Sequence, residues 1–320
     1  MHFGRKLIIV ASVGSICVTA IGAFILQNRE RYYDPDFDVS VLNPAYGHDG
    51  PTVLFDEGHL NTHTAEQGYR PFVALARNDG YQLRILRETL STKLLDGVSI
   101  LVIVLARGSN VSNDDAAFSE SECLTINDWV RSGGSLLLIT DHWPYGASAS
   151  SLSKQFEVQM GSGMVEDPKH HAESLGDSHI VFTDDEGTLR SHPITKGRNS
   201  SEQVRRVLTF TGQSILGPPG AVPFLALADS ALERPPTPPI VHKNRGNTQI
   251  EMQYGDPRPV NGRAQGIAFE VEKGRIVILG EAGMLRANRE RGGARVGMNM
   301  PDYDNRQLAI NIMHWLSRIL

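Results

Sequence analysis

The chain has 320 residues, a net charge of −5, and 40% hydrophobic against 21% charged residues, ordinary proportions for a globular protein with a sizeable core. Its Lys and Arg residues are scattered without a basic tract, which argues against nucleic acid as a partner. Two cysteines exclude a thiolate metal cluster and a disulfide framework.

Residues 7–26, LIIVASVGSICVTAIGAFIL, are uncharged and follow Arg5 and Lys6. A run of about 20 apolar residues matches the hydrocarbon thickness of a bilayer. Residues 1–30 are therefore expected to be a membrane anchor; the alternative is a signal sequence cleaved near Ala20-Ile21-Gly22, although Phe24-Ile25-Leu26 carry the apolar run past that point. Residues 31–51 hold turn formers such as Asp34-Pro35-Asp36 and Asn43-Pro44 and read as a tether. The body, 52–320, is expected outside the cytoplasm.

The body alternates apolar runs with helical patterns. Strands are expected at 52–55, 81–86, 99–105 and 135–140, with helices over 68–78 and from the capping box at Ser119–Glu122 through Arg131. The runs SILVIVL and SLLLIT show no polar alternation, as in strands of a parallel sheet buried on both faces. Cys123 shares the helix with Ile126 and Val130 at helical spacing, which makes it a core residue. A short helix over 148–156 and strands over 204–211 and 224–228 follow, whereas 232–239 and 245–262, rich in Pro, Gly and Asn, read as loops. A hairpin turning at Lys273-Gly274 joins 266–272 to 275–279, and an amphipathic helix over 304–319 ends the chain. The fold class is α/β: a flavodoxin-like, doubly wound parallel sheet with a C-terminal hairpin and helix.

In such sheets ligands bind beyond the carboxyl ends of the strands. Asp56 and His59 follow the first strand, Asp141 and His142 the fourth, and Glu281 the late hairpin, so these five are the candidate catalytic residues. Carboxylates and imidazoles together suit a general acid/base pair or a divalent ion such as Zn²⁺ or Mn²⁺. The competing reading is that the aspartates cap local backbone amides. Clustered carboxylates need a cation, a shared proton or an arginine, and Arg107, then Arg286, are the candidates for the last. Asn61, Asn299 and Asn305 complete the candidate ligand-binding set with Arg107; Asn299 and Asn305 lie in GMNMPDYDNRQ, which has more polar residues than a connection needs.

The blocks VLFDEGH, WVRSGGSLLLITDHWPYG, HPITKGR, FTGQS, GRIVILGEAGMLRAN and GMNMPDYDNRQLAINIMHWL resemble the DUF4350-type members of the class I glutamine amidotransferase-like superfamily, and HPITKG is also similar to its ThuA-like branch. The resemblance spans roughly 52–320 and implies a flavodoxin-like sheet. It does not imply glutaminase activity: amidotransferases place a Cys on the turn after the central strand, and here that strand ends in Thr140-Asp141-His142 with no Cys after position 123. Two functions stay open. One is a hydrolase acting on a carbohydrate-related substrate, the direction in which the ThuA-like relatives point. The other is a non-catalytic, membrane-tethered ligand-binding or assembly domain.

Overall fold

The structure, a computed structural model, describes residues 18–19, 33–47, 49–108, 115–244, 247–290 and 293–320. Its organising elements, in chain order, are β1 (Thr52–Asp56), α1 (Arg70–Asn78), β2 (Gln82–Leu86), β3 (Ile100–Val104), α2 (Glu120–Arg131), β4 (Ser135–Ile139), β5 (Gln159–Met160), β6 (Ile215–Leu216), β7 (Val222–Ala226), β8 (Pro236–Asn244), β9 (Asn247–Tyr254), β10 (Ala264–Val271), β11 (Gly274–Leu279) and α3 (Asn305–Leu316).

The central sheet runs β2-β1-β3-β4-β11-β10-β6-β5, with β7 pairing on β10. Strands β2, β1, β3, β4 and β11 are mutually parallel, and β10 returns antiparallel to β11 through the expected hairpin. The first four strands thus have the 2-1-3-4 order of a flavodoxin-like, doubly wound sheet, as the alternation of apolar runs and helices predicts. Burial explains why the central runs carry no polar alternation. Every residue of β3, and Leu136 to Ile139 of β4, is at most 1% exposed, each such side chain contributing up to about 1.5–3 kcal/mol. One core lies under α1 and α3; a second lies under α2 and includes Cys123, Ile126 and Val130. Close approach of α2 to β11 requires Gly274, where an added Cβ would stand 2.1 Å from the Val130 carbonyl oxygen.

Three sequence expectations change. The segment at 148–156 forms two short helical pieces, Tyr145–Ser148 and Ser150–Lys154. The segments read as loops around 232–262 contain a long antiparallel hairpin, β8–β9, with a bulge between Thr237 and Ile240. Its prolines at 236 and 238 hide the strand pattern, since proline is compatible with strands only at edges and bulges. Residues 33–47 pack along the body: Phe37, Val39 and Val41 lie against the core, and Ala45 N–H donates to Asp79 Oδ1 at 2.7 Å.

The expected membrane segment 7–26 lies outside the described residues except for Val18 and Thr19, which pair with Ile250 and Gln249. Among the described residues no helix is long and apolar enough to cross a membrane.

Candidate functional site at the carboxyl edge of the sheet

The loops leaving β1, β3, β4 and β11 gather at the carboxyl edge. Two of them carry leucines in the left-handed region, Leu60 (φ 50) and Leu105 (φ 46), a conformation costly for a γ-branched side chain and concentrated at functional edges. Thr62 N–H donates to the Leu105 carbonyl at 3.2 Å, and Thr62 Oγ1 meets Tyr145 Oη at 2.9 Å, tying the β1 loop to the loop that carries Asp141.

The candidate residues sort into two clusters. In the first, Asp56 is 1% exposed; its Oδ1 bonds His59 Nδ1 at 2.8 Å and its Oδ2 accepts from Asn61 Nδ2 at 3.0 Å. The other ring nitrogen of His59, Nε2, bonds Glu122 Oε1 at 2.9 Å. Burial by itself pushes the imidazole down, but the bonds and charges of Asp56 and Glu122 overcome it and hold His59 above its ordinary value. Glu122 goes the other way: burial raises it, and the bonds from His59, Ser119 and Leu90 outweigh that and lower it. An imidazolium clamped between two carboxylates has both N–H groups committed. His59 therefore joins the β1 loop to the start of α2 and has no free ring nitrogen for proton transfer. Asn61 is equally committed, since its Oδ1 accepts from His59 N–H at 3.0 Å and its Nδ2 also donates to the Val104 carbonyl at 3.0 Å. Glu122 is the member sequence reading missed: it belongs to a real capping box with Ser119, and that local role concealed its long-range bond.

The second cluster holds Asp141, His142 and Glu281. Glu281 is 1% exposed, and its carboxylate accepts from the N–H groups of Gly283 and, at 2.7 Å, Met284. Gly283 leaves it room, because an added Cβ there would meet Oε1 at 2.6 Å. Asp141 lies beside it: Oδ2 accepts from Ala282 N–H at 3.3 Å and Oδ1 from His142 N–H at 2.8 Å. Burial, then the charge of Asp141, push Glu281 well above the usual carboxylate range, against the opposing amides of Met284, Gly283 and Phe210. Asp141 is raised by burial, which outweighs the favourable charges of His142 and Arg286. Two such carboxyls titrate as a pair and keep a proton longer than an isolated one. The Asp141 side chain, 13% exposed, is the member that meets solvent.

Around this pair stand three rings. His142 Nε2 lies 3.5 Å from Asp141 Oδ1, while its Nδ1 is 3.1 Å from the Trp143 carbonyl and 2.9 Å from Tyr254 Oη. Tyr254 ends the β8–β9 hairpin, so a segment read as loop delivers a ring to the site. Tyr69, fully buried, donates to the Ala282 carbonyl at 2.8 Å, and burial and Glu281 raise its hydroxyl.

The remaining candidates stand elsewhere or in support. Arg107 donates its backbone N–H to the His59 carbonyl at 2.9 Å, and no ion pair joins it to Asp56, Asp141 or Glu281 among the described residues; the positive charges felt by Asp141 are those of His142 and Arg286. Asn299 donates to Asp34 Oδ2 at 2.9 Å and to the Asn288 carbonyl at 3.0 Å, and so orders its own loop. Asn305, 0% exposed, bridges the Leu208 N–H and carbonyl and donates to the Met284 carbonyl at 3.1 Å, which braces the loop holding Glu281. Among the described residues no hydrogen bond or ion pair joins the Asp56 cluster to the Asp141 cluster, and no group of three or more His, Cys, Asp or Glu is arranged to hold a metal ion. The divalent-metal expectation for the five together is not met by this geometry, because the bonds of Asp56 and His59 are turned toward Glu122 and Asn61.

No protein-family model and no curated protein matches the chain. Solved structures do. The mmIFT52 N-terminal domain is similar over 83% of this chain and 97% of its own length, with a TM-score of 0.56 and 12% identity. A cytoplasmic protein from Salmonella typhimurium matches over 83% and 98%, with a TM-score of 0.45 and 13% identity. A protein described as ThuA-like, from Bacteroides uniformis, matches over 88% and 95%, with a TM-score of 0.39 and 13% identity. At these identities the first likeness is one of fold.

Proposed function

We propose that this is an amidotransferase-like domain that has exchanged thiol chemistry for proton transfer by the Asp141–Glu281 pair, acting as a hydrolase on a hydroxyl-rich, carbohydrate-related substrate. The observation that carries the reading is the juxtaposition of two carboxyls at the carboxyl edge of the sheet, Glu281 buried and Asp141 partly open to solvent. A carboxyl raised above its ordinary range can donate its proton to a leaving group and recover it from water. In this scheme Asp141, raised by burial, exchanges the proton with the substrate, Glu281 stands behind it as the neighbouring carboxyl, and Arg286 limits the negative charge. His142, oriented through Nδ1 by the Trp143 carbonyl and Tyr254, is the second proton carrier. Asp56, His59 and Asn61 position the β1 loop. The extracytoplasmic, membrane-tethered placement of the domain by residues 7–26 belongs to the same proposal, and fractionation of full-length protein into a salt-resistant pellet tests it.

Asp141→Asn should lower turnover of a responsive p-nitrophenyl glycoside or ester by about 10²–10⁴-fold, the usual range for a lost general acid/base, while circular dichroism stays unchanged. Turnover by the variant at the unmodified rate overturns the assignment. The second reading, a ligand-binding domain without catalysis, is favoured by the way backbone amides occupy both oxygens of Glu281; saturable binding of a sugar without turnover supports it.

A further inference from the structure

At the opposite edge of the sheet an open groove of about 810 Å³ lies over the turn end of the β10–β11 hairpin. Arg275, the second residue of β11, lies beside Ser135, the first residue of β4, so this groove sits at the amino ends of the parallel strands, away from Asp141. Its apolar lining includes Phe156, Phe269 and Trp315. Two donors stand among these rings. The Arg275 guanidinium lies 5.0 Å from the Trp315 ring centroid, held through Nη1 by the carbonyls of Trp315 and Leu320 and through Nε, at 3.0 Å, by Glu270 Oε1, which leaves Nη2 without an acceptor among the described residues. The His192 ring meets the same indole with centroids 5.1 Å apart.

His192 is only 8% exposed, and its tautomer follows from its bonds. Its Nδ1 accepts from Ile194 N–H at 3.2 Å, so in the neutral ring the proton is on Nε2. Burial, then the neighbouring Arg275, push His192 down to about 4, which makes the neutral form the one present at physiological pH. Among the described residues Nε2–H has no acceptor, and the ring lines the groove. The acidic groups stand at the rim: the Glu270 side chain is 60% exposed, and Glu157 is exposed as well. Glu270 holds Arg275 Nε from that rim, so the donors left over in the groove are His192 Nε2–H and Arg275 Nη2, set among apolar rings.

We infer that this groove is a second binding site, for a small organic carboxylate whose acid group takes the His192 Nε2–H and the Arg275 guanidinium while its apolar part lies against Phe156 and Phe269. Arg275 Nη2 and His192 Nε2–H, the two donors without an acceptor, can meet the oxygens of one carboxylate, the first through a charge-assisted bond. The site is independent of the proton-transfer reading of Asp141.

Titration of the full chain with phenylacetate, followed by long-range ¹H–¹⁵N spectra of the histidine rings and by the Trp315 indole signal, tests it. Phenylacetate should shift both signals saturably, and 2-phenylethylammonium, of the same shape and opposite charge, should not. His192→Asn keeps an acceptor for Ile194 N–H but withdraws the groove donor; it should weaken binding by about tenfold or more, the worth of a hydrogen bond to a charged group. Asp141→Asn should leave the affinity unchanged. Equal binding of the cation, absence of a saturable shift, or full affinity in a folded His192→Asn protein overturns the inference. If that variant does not fold, the carboxylate–ammonium comparison on the unmodified chain decides it.

Discussion

Glu122→Gln probes the buried network that fixes the β1 loop. Glu122 Oε1 takes His59 Nε2–H at 2.9 Å and Leu90 N–H at 2.9 Å, while Oε2 takes Ser119 N–H at 3.0 Å and Ser119 Oγ–H at 2.8 Å. A glutamine offers one oxygen, so its NH₂ must face the donors on one side. Losing a charge-assisted bond costs about 1.5–3 kcal/mol, and breaking a buried pair by removing one partner costs about 3–5 kcal/mol. His59 can relieve part of this by deprotonating, so we expect a loss of about 2–4 kcal/mol at pH 6. The pH dependence has a definite sign. His59 is raised in the folded state, so its contribution is complete below its ordinary value of 6.5 and fades as pH rises through the raised one. Glu122 is lowered, so its contribution is complete above its ordinary value of 4.5 and fades as pH falls through the lowered one. The gap between the parent and variant should be widest between about pH 5 and 6.5 and narrower at pH 9. Urea denaturation followed by tryptophan fluorescence measures it. A difference below about 0.5 kcal/mol at pH 6, within the range of an ordinary surface substitution, or a gap that widens toward pH 9, refutes the imidazolium clamp.

Two further substitutions follow from the same contacts. Asn305→Ala strands the Leu208 N–H and carbonyl and the Met284 carbonyl in the core, and should lower the urea midpoint by the equivalent of about 2–4 kcal/mol, several times a single surface bond. Asp141→Asn removes one of two adjacent carboxyls, so thermal melts at pH 8 should show unchanged stability or a gain of about 1 kcal/mol, the sign expected for relief of like charge.

The sheet was legible because its strands obey a local rule. Unbroken apolar runs in β3 and β4, and the Lys273-Gly274 turn before β11, each state their burial or turn without reference to the rest of the chain. The β8–β9 hairpin was not legible, because Pro236, Pro238 and Gly255 are turn and breaker residues that an edge hairpin tolerates. The site was half legible. Strand-end position identified Asp141, His142 and Glu281, and it identified Asp56 and His59 equally, since position alone cannot tell a residue facing solvent from one bonded to a helix 63 positions away at Glu122. Tyr254 and Tyr69 carried no signal in one dimension. They enter the site through a hairpin and a helix start whose placement depends on the assembled sheet.

The central claim is that the neighbouring carboxyls of Asp141 and Glu281 retain a proton above the ordinary carboxylate range, and carboxyl ¹³C chemical shifts followed through a pH titration test it directly. The account predicts that the pair releases its last proton above the ordinary carboxylate range, and that Asp141→Asn moves Glu281 down toward that range. Loss of both protons near pH 4, where isolated carboxyls titrate, with Glu281 indifferent to the substitution, would contradict it.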